Sequence, residues 1–115
     1  MISNHCAAVQ RRRVSIGCEL VVPNNLIFLD EPTSGLDAAS AFHVISAVRK
    51  LAEGCRTIIS VIHQPSSEVF ALFDKLCLLS DGQVVYFGDA HRAIDMFASA
   101  GLPVPANRNP AVSVL

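Results

Sequence analysis

Apolar positions along this chain change their spacing several times, and each change marks an element. Leu26-Ile27-Phe28-Leu29 is an unbroken apolar run, the pattern of a parallel strand buried on both faces. Val44, Val48, Leu51 and Ala52 recur at helical spacing after Asp37, a good N-cap, and predict a helix over Ala38 to Ala52 with Gly54 at its C′ position. Thr57 to Ile62 is a β-branched strand that ends at His63. Pro65 breaks the chain, and Ser66 or Ser67 caps a short helix through Phe73. Lys75 to Ser80 and Gln83 to Phe87 flank Asp81-Gly82, a two-residue hairpin signal, with Gly88 ending the return strand. Asp89 caps a helix over Ala90 to Ala100 with Ile94, Phe97 and Ala98 inward, and Gly101 terminates it. Upstream, Gln10 to Leu20 reads as a helix that exposes Arg11, Arg12 and Arg13, followed by a turn at Pro23-Asn24-Asn25.

The order strand, helix, strand, helix, strand, hairpin, helix is an α/β pattern. The organisation read from it is a segment 1–9 without pattern, a folded stretch 10–101, and an irregular tail 102–115 in which Pro103, Pro105 and Pro110 interrupt regular structure. At 115 residues the chain fits one compact domain. Its 51% apolar and 17% charged residues supply a core and argue against disorder. A net charge of −1 gives no global reason to expect a nucleic-acid partner, and the arginine run reads as a solvated helix face. Mean hydropathy is high at +0.43, yet no apolar stretch reaches the ~18 residues of a membrane span, and no secretory leader is legible. Cys6, Cys18, Cys55 and Cys77 lack zinc-type spacing and read as reduced, mostly buried thiols.

The chemistry concentrates after the first strand. Asp30 and Glu31 stand at its C-terminal end, where open α/β sheets bind ligands. Successive strand residues point in opposite directions, so the two acids can take different tasks. Asp30 suits a Mg²⁺ site through a bound water, and Glu31 suits general-base work on an attacking water. Two acids at a strand end can also do no more than cap a turn, and a lone histidine is often a core residue. His63, however, ends the very next strand, and Ser34-Gly35-Leu36-Asp37 follows the acids directly.

In this combination the chain resembles the ATP-binding-cassette family: a Walker B strand, a D-loop and a switch histidine in family order. Arg11-Arg12-Arg13-Val14-Ser15-Ile16-Gly17 looks like the segment after the signature motif of the G subfamily, the white–brown half-transporters. Ile62 to Phe70 is similar to their long histidine loop, and Val85-Tyr86-Phe87-Gly88 and Asn109-Pro110-Ala111 resemble their region after the hairpin. The flavour is that of plant half-transporters that export cuticular lipids.

The resemblance implies a partial P-loop NTPase-type parallel sheet flanked by helices, with a C-terminal hairpin and helix. It implies ATP and Mg²⁺ as cofactors: Asp30 would help hold Mg²⁺, Glu31 would polarise water, and His63 would touch the γ-phosphate. Gln10, at the end of the signature, and Ser34, Gly35 and Asp37 of the D-loop would complete the site. The implied partners are a second nucleotide-binding domain, in a homo- or heterodimer, and the transmembrane domain of a half-transporter, with the cassette on the cytoplasmic membrane face. A soluble cassette ATPase and a non-catalytic cassette that regulates an intact half-transporter are the other readings.

The sequence departs from its family in three places. No G-x-x-x-x-G-K-[ST] phosphate loop and no glutamine loop is present. The signature's serine and two glycines are replaced by Ala7, Ala8 and Val9, and residues 111–115 drift from the family pattern. These features read as a truncated or alternatively spliced product that does not hydrolyse ATP by itself. The family's phosphate-loop strand lies between the strand ending near His63 and the one ending near Ser80. Without it, either the fold is marginal or Thr57–Ile62 pairs directly with Leu76–Leu79.

Overall fold

The computed structural model describes residues 10–18 and 24–101. The expectations placed on the first nine residues, on Leu20, on Pro23 and on the tail from 102 fall outside them. Residues 10–18 are helical (α1). Strand β1 (Leu26–Asp30), helix α2 (Ala38–Ala52) and strand β2 (Thr57–Val61) follow. Then come α3 (Ser67–Phe70), β3 (Lys75–Ser80), β4 (Gln83–Asp89) and α4 (Arg92–Ser99). The chain divides into two compact units, Met1–His63 and Gln64–Leu115.

In the first unit, β1 and β2 pair in parallel with Leu26 opposite Thr57 and Asp30 opposite Val61. A parallel pair needs a crossover, and α2 supplies it. Asp37 starts that helix as expected: its Oδ1 accepts the Ser40 N–H at 2.8 Å and its Oδ2 accepts the Ser40 hydroxyl at 3.2 Å. Arg49 and Lys50 in the last turn complement the helix dipole. The residue in left-handed conformation after the helix is Cys55, at φ 61°, not Gly54. The buried stripe of α2 is Ala41, Val44, Ile45 and Val48; Leu51 and Ala52, in the last turn, lie half-exposed.

The continuous apolar run of β1 is not buried on both faces. Ile27 and Leu29 lie on the covered side, whereas Leu26 and Phe28 are exposed, Phe28 to 68%. The same alternation in β2 exposes Ile59 and Val61. A two-stranded sheet with its crossover helix covers one face, and period-2 geometry sends every second side chain to the other.

In the second unit, Ser66 caps α3 through its hydroxyl, which accepts the Val69 N–H at 3.3 Å. The hairpin turn has φ 49° at Asp81 and φ 74° at Gly82, the two positive values that a type I′ turn requires. A bulge between Leu78 and Leu79 shifts the register, and β4 runs on through Gly88 to Asp89, opposite Lys75. Gly88 therefore does not end the strand. The Tyr86 hydroxyl donates to the Asp89 carbonyl at 2.6 Å, and a Cβ on residue 88 would come within 2.9 Å of it, so a larger residue there would displace the ring. Helix α4 starts at Arg92, later than expected, because Ala90 donates its N–H to the Asp74 carbonyl at 3.1 Å. Its buried residues are Ala93 and Phe97; Ile94 and Ala98 face outward.

Among the described residues β2 and β3 are not paired: the strands form two separate two-stranded sheets, so the expected direct pairing is absent. The antiparallel hairpin finds its partner within its own turn, at far lower loop-closure cost than a second parallel ladder. Cys18, Cys55 and Cys77 are free, as expected, but exposed. Among the described residues no helix is long and apolar enough to cross a membrane.

Candidate functional site

The candidate site residues of the first unit gather at the C-terminal end of the parallel pair. Asp30 closes β1 opposite Val61, which closes β2, and His63 stands two residues beyond Val61. The ladder extends one step further, with the Glu31 N–H donating to the Val61 carbonyl at 2.9 Å. Glu31 itself has φ 44°, an unusual conformation for a residue with a side chain. That backbone turn ends the strand and sends the chain into the loop. Asp30, Glu31 and His63 are all exposed, as a site for a polar ligand requires.

The loop that follows is built from tandem turns. The Ser34 N–H donates to the Glu31 carbonyl and the Leu36 N–H to the Thr33 carbonyl, both at 3.1 Å. Gly35 adopts φ 74° between them, with open space around its α-carbon. Ser34 and Gly35 are exposed at the loop tip, while the Asp37 carboxylate is engaged in capping α2. Pro32 is buried beneath the loop.

A cleft of about 170 Å³ opens beside Asp30, walled by Arg12, Ser15 and Ile16 of α1 and by Phe28, Leu29 and Pro32. Neither Glu31 nor His63 lines it, and Gln10 lies exposed at the start of α1, also outside it. Arg12 is half-buried, so the arginine run is not wholly a solvated face. The sequence held the signal for this wall: residues 12, 15 and 16 share one helix face by i, i+3 and i+4 spacing. Ser40, which clamps Asp37, was likewise legible as the third residue after the cap.

Several known proteins are similar to this chain. A family model described as "ABC-2 type transporter" matches residues 63–114. ABC transporter G family member 11 of Arabidopsis thaliana is 59% identical over 102 residues, covering 89% of this chain and 14% of that protein. ABC transporter G family member 13 of the same plant is 54% identical over 102 residues, 89% of this chain and 15% of that protein. The C. elegans protein "ABC transporter ATP-binding protein/permease wht-1" is 45% identical, again over 89% of this chain and 15% of its own length. The chain belongs to the G subfamily of the ABC transporters. A solved ATP-binding cassette of an ABC transporter shares the fold, with a TM-score of 0.68 at 22% identity, over 81% of this chain and 38% of that one.

The chain spans about 14% of the length of the first curated G-family relative that it matches. The cassette's α/β fold, with its parallel strands and flanking helices, is the one expected from the sequence. The matched relatives are named as transporters. Among the described residues no group of three or more His, Cys, Asp or Glu side chains could hold a metal alone. Asp30 offers one exposed carboxylate at the strand end, a donor of the kind Mg²⁺ takes beside water and phosphate oxygens.

Proposed function

We propose that this chain is part of the ATP-hydrolysing cassette of a G-type membrane exporter. The observation that carries the reading is the parallel pairing of β1 with β2, which brings the Asp30-Glu31 pair and the segment leading to His63 to one sheet end. Asp30 would hold Mg²⁺ through water, and the metal would neutralise phosphate charge. Glu31 would take a proton from the attacking water, and His63 would donate a hydrogen bond to the γ-phosphate. Ser34 and Gly35, at the tip of a loop anchored by Asp37, would meet a second cassette, and Gln10 would lie near the nucleotide of that partner. The partner chain and a transmembrane domain would place the assembly on the cytoplasmic face of a membrane. Lipids are the cargo class that the plant relatives' likeness suggests.

The 115 residues contain no phosphate-binding loop, so that element must come from outside them. Asp30 and Glu31 by themselves present negative charge to a polyanion. We therefore expect no ATP hydrolysis from the 115-residue chain alone.

The test is Glu31→Gln in an intact transporter that carries this segment, with ATP binding and phosphate release measured together. Binding should persist while turnover falls by ~10² to 10⁴, the usual contribution of a positioned base. Undiminished turnover would remove Glu31 from the role.

A further inference from the structure

The arginine run on α1 plays no part in the nucleotide chemistry proposed above. It ends two residues before a hydroxyl. Ser15 follows Arg11, Arg12 and Arg13 by four, three and two residues and precedes the apolar Ile16. No other serine or threonine in the 115 residues has two arginines among the four residues before it. Consecutive guanidinium groups on the N-terminal side of a hydroxyl complement an acidic substrate groove, the charge pattern by which basophilic protein kinases select their acceptors.

The structure adds accessibility and consequence. Ser15 is exposed, as are Arg11, Arg13 and Val14. Phosphoryl transfer needs the acceptor oxygen in line with the γ-phosphate, so the segment must leave its helix transiently. Helix α1 opposes this weakly: Val14, Ser15 and Ile16 are indifferent helix formers, and Gly17 costs about 1 kcal/mol relative to alanine. Local opening of such a turn is a low-energy event.

We propose that Ser15 is a phosphorylation site for a basophilic serine/threonine kinase, and that the phosphate sits in the cleft shared with Arg12 and Asp30. In the transfer, Ser15 Oγ forms a bond to the γ-phosphorus of kinase-bound ATP. The bond from that phosphorus to the β–γ bridging oxygen breaks, ADP leaves, and the hydroxyl proton passes to the kinase's catalytic carboxylate. The product carries a charge of about −1.5 to −2 at neutral pH. Arg12, one turn back on the same face, is within pairing reach, while Asp30, which lines the same cleft, carries a like charge. A phosphate here therefore adds negative potential beside the acid that would hold Mg²⁺. That regulatory consequence rests on the nucleotide-site reading; the modification itself does not.

The experiment treats the 115-residue chain, without denaturant, with Mg-ATP and the catalytic subunit of a cyclic-nucleotide-dependent kinase, and maps the product by tandem mass spectrometry. The expected result is one phosphoryl group on Ser15, absent from Ser15→Ala. Arg13→Gln, an exposed change outside the cleft, should slow incorporation about ten-fold, the loss of roughly one charge-assisted contact. The Arg12 side-chain Nε–H resonance, followed by nitrogen NMR, should shift on phosphorylation and stay in place in Ser15→Ala treated alike. Phosphate confined to other residues, or Ser15 labelling that requires urea, overturns the site. An unmoved Arg12 resonance overturns the placement of the phosphate in the cleft. Failure of the nucleotide-site reading shows elsewhere, as undiminished turnover in the Glu31→Gln transporter.

Discussion

The backbone N–H of Glu31 donates to the carbonyl of Val61 across 2.9 Å, one step past the last paired residues of β1 and β2. This bond fixes where the first strand stops. It ties the left-handed turn at Glu31 to the strand that leads to His63, so the loop carrying Ser34 and Gly35 leaves the sheet from a defined point.

Glu31 holds φ 44°, which disfavours a branched side chain more than a flexible one. Glu31→Val should destabilise the first unit by about 1–2 kcal/mol, because the branched Cβ meets the carbonyl in that conformation. Glu31→Gly should stay within about 1 kcal/mol of the parent, relief of strain being offset by unfolded-chain entropy. Urea titrations of the three chains compare them; equal losses for valine and glycine would mean that the side chain, not the backbone, matters there.

Asp37 and Ser40 form the start of α2 through two hydrogen bonds. Asp37→Ala should cost about 1 kcal/mol and speed hydrogen exchange in the first turn of α2. Asp37→Asn keeps an accepting oxygen and should change little. If asparagine proved as damaging as alanine, the carboxylate charge rather than the cap would be the stabilising feature.

Tyr86 and Gly88 share one space. A Cβ at residue 88 would lie 2.9 Å from the Tyr86 hydroxyl oxygen, which already bonds the Asp89 carbonyl. Gly88→Ala should displace the ring and cost about 1–3 kcal/mol. Adding Tyr86→Phe, which removes the clashing oxygen, should recover part of that loss, so the double variant is less damaged than the sum of its parts. Additive losses would show that the two residues act independently.

Asp89 accepts the backbone N–H of His91, and more weakly that of Arg92, and these bonds hold its carboxyl below the ordinary aspartate value, with help from Lys75 and His91. A depressed native value means that the stabilisation is complete above the unfolded carboxyl's pKa and is lost as pH falls through the native one. The amide shifts of His91 and Arg92 should therefore titrate with a midpoint below 3.8, the ordinary value. Asp89→Asn should abolish that transition. A midpoint at or above the ordinary value would contradict the capping geometry.

Local chemistry was legible in the sequence wherever a residue's neighbours in the chain decide its state. The bounds of α2, its Asp37 cap, a cap at Ser66 or Ser67, β3 and the two-residue hairpin turn at Asp81-Gly82 all follow from residues within four positions of one another. So does the motif content from Asp30 to Asp37, which carries the resemblance to the ATP-binding-cassette family, while Arg11 to Gly17 and Ile62 to Phe70 carry the likeness to the G subfamily. The tertiary structure decided what depends on distant partners. It set the exposure of Phe28 and of Cys55, the continuation of β4 to Asp89, the inward turn of Ala93 in place of Ile94, and the union of Arg12, Ser15 and Asp30 in one cleft. Helical and strand periods say that one face is apolar, but which face is covered depends on the elements that pack against it, and no local pattern encodes those.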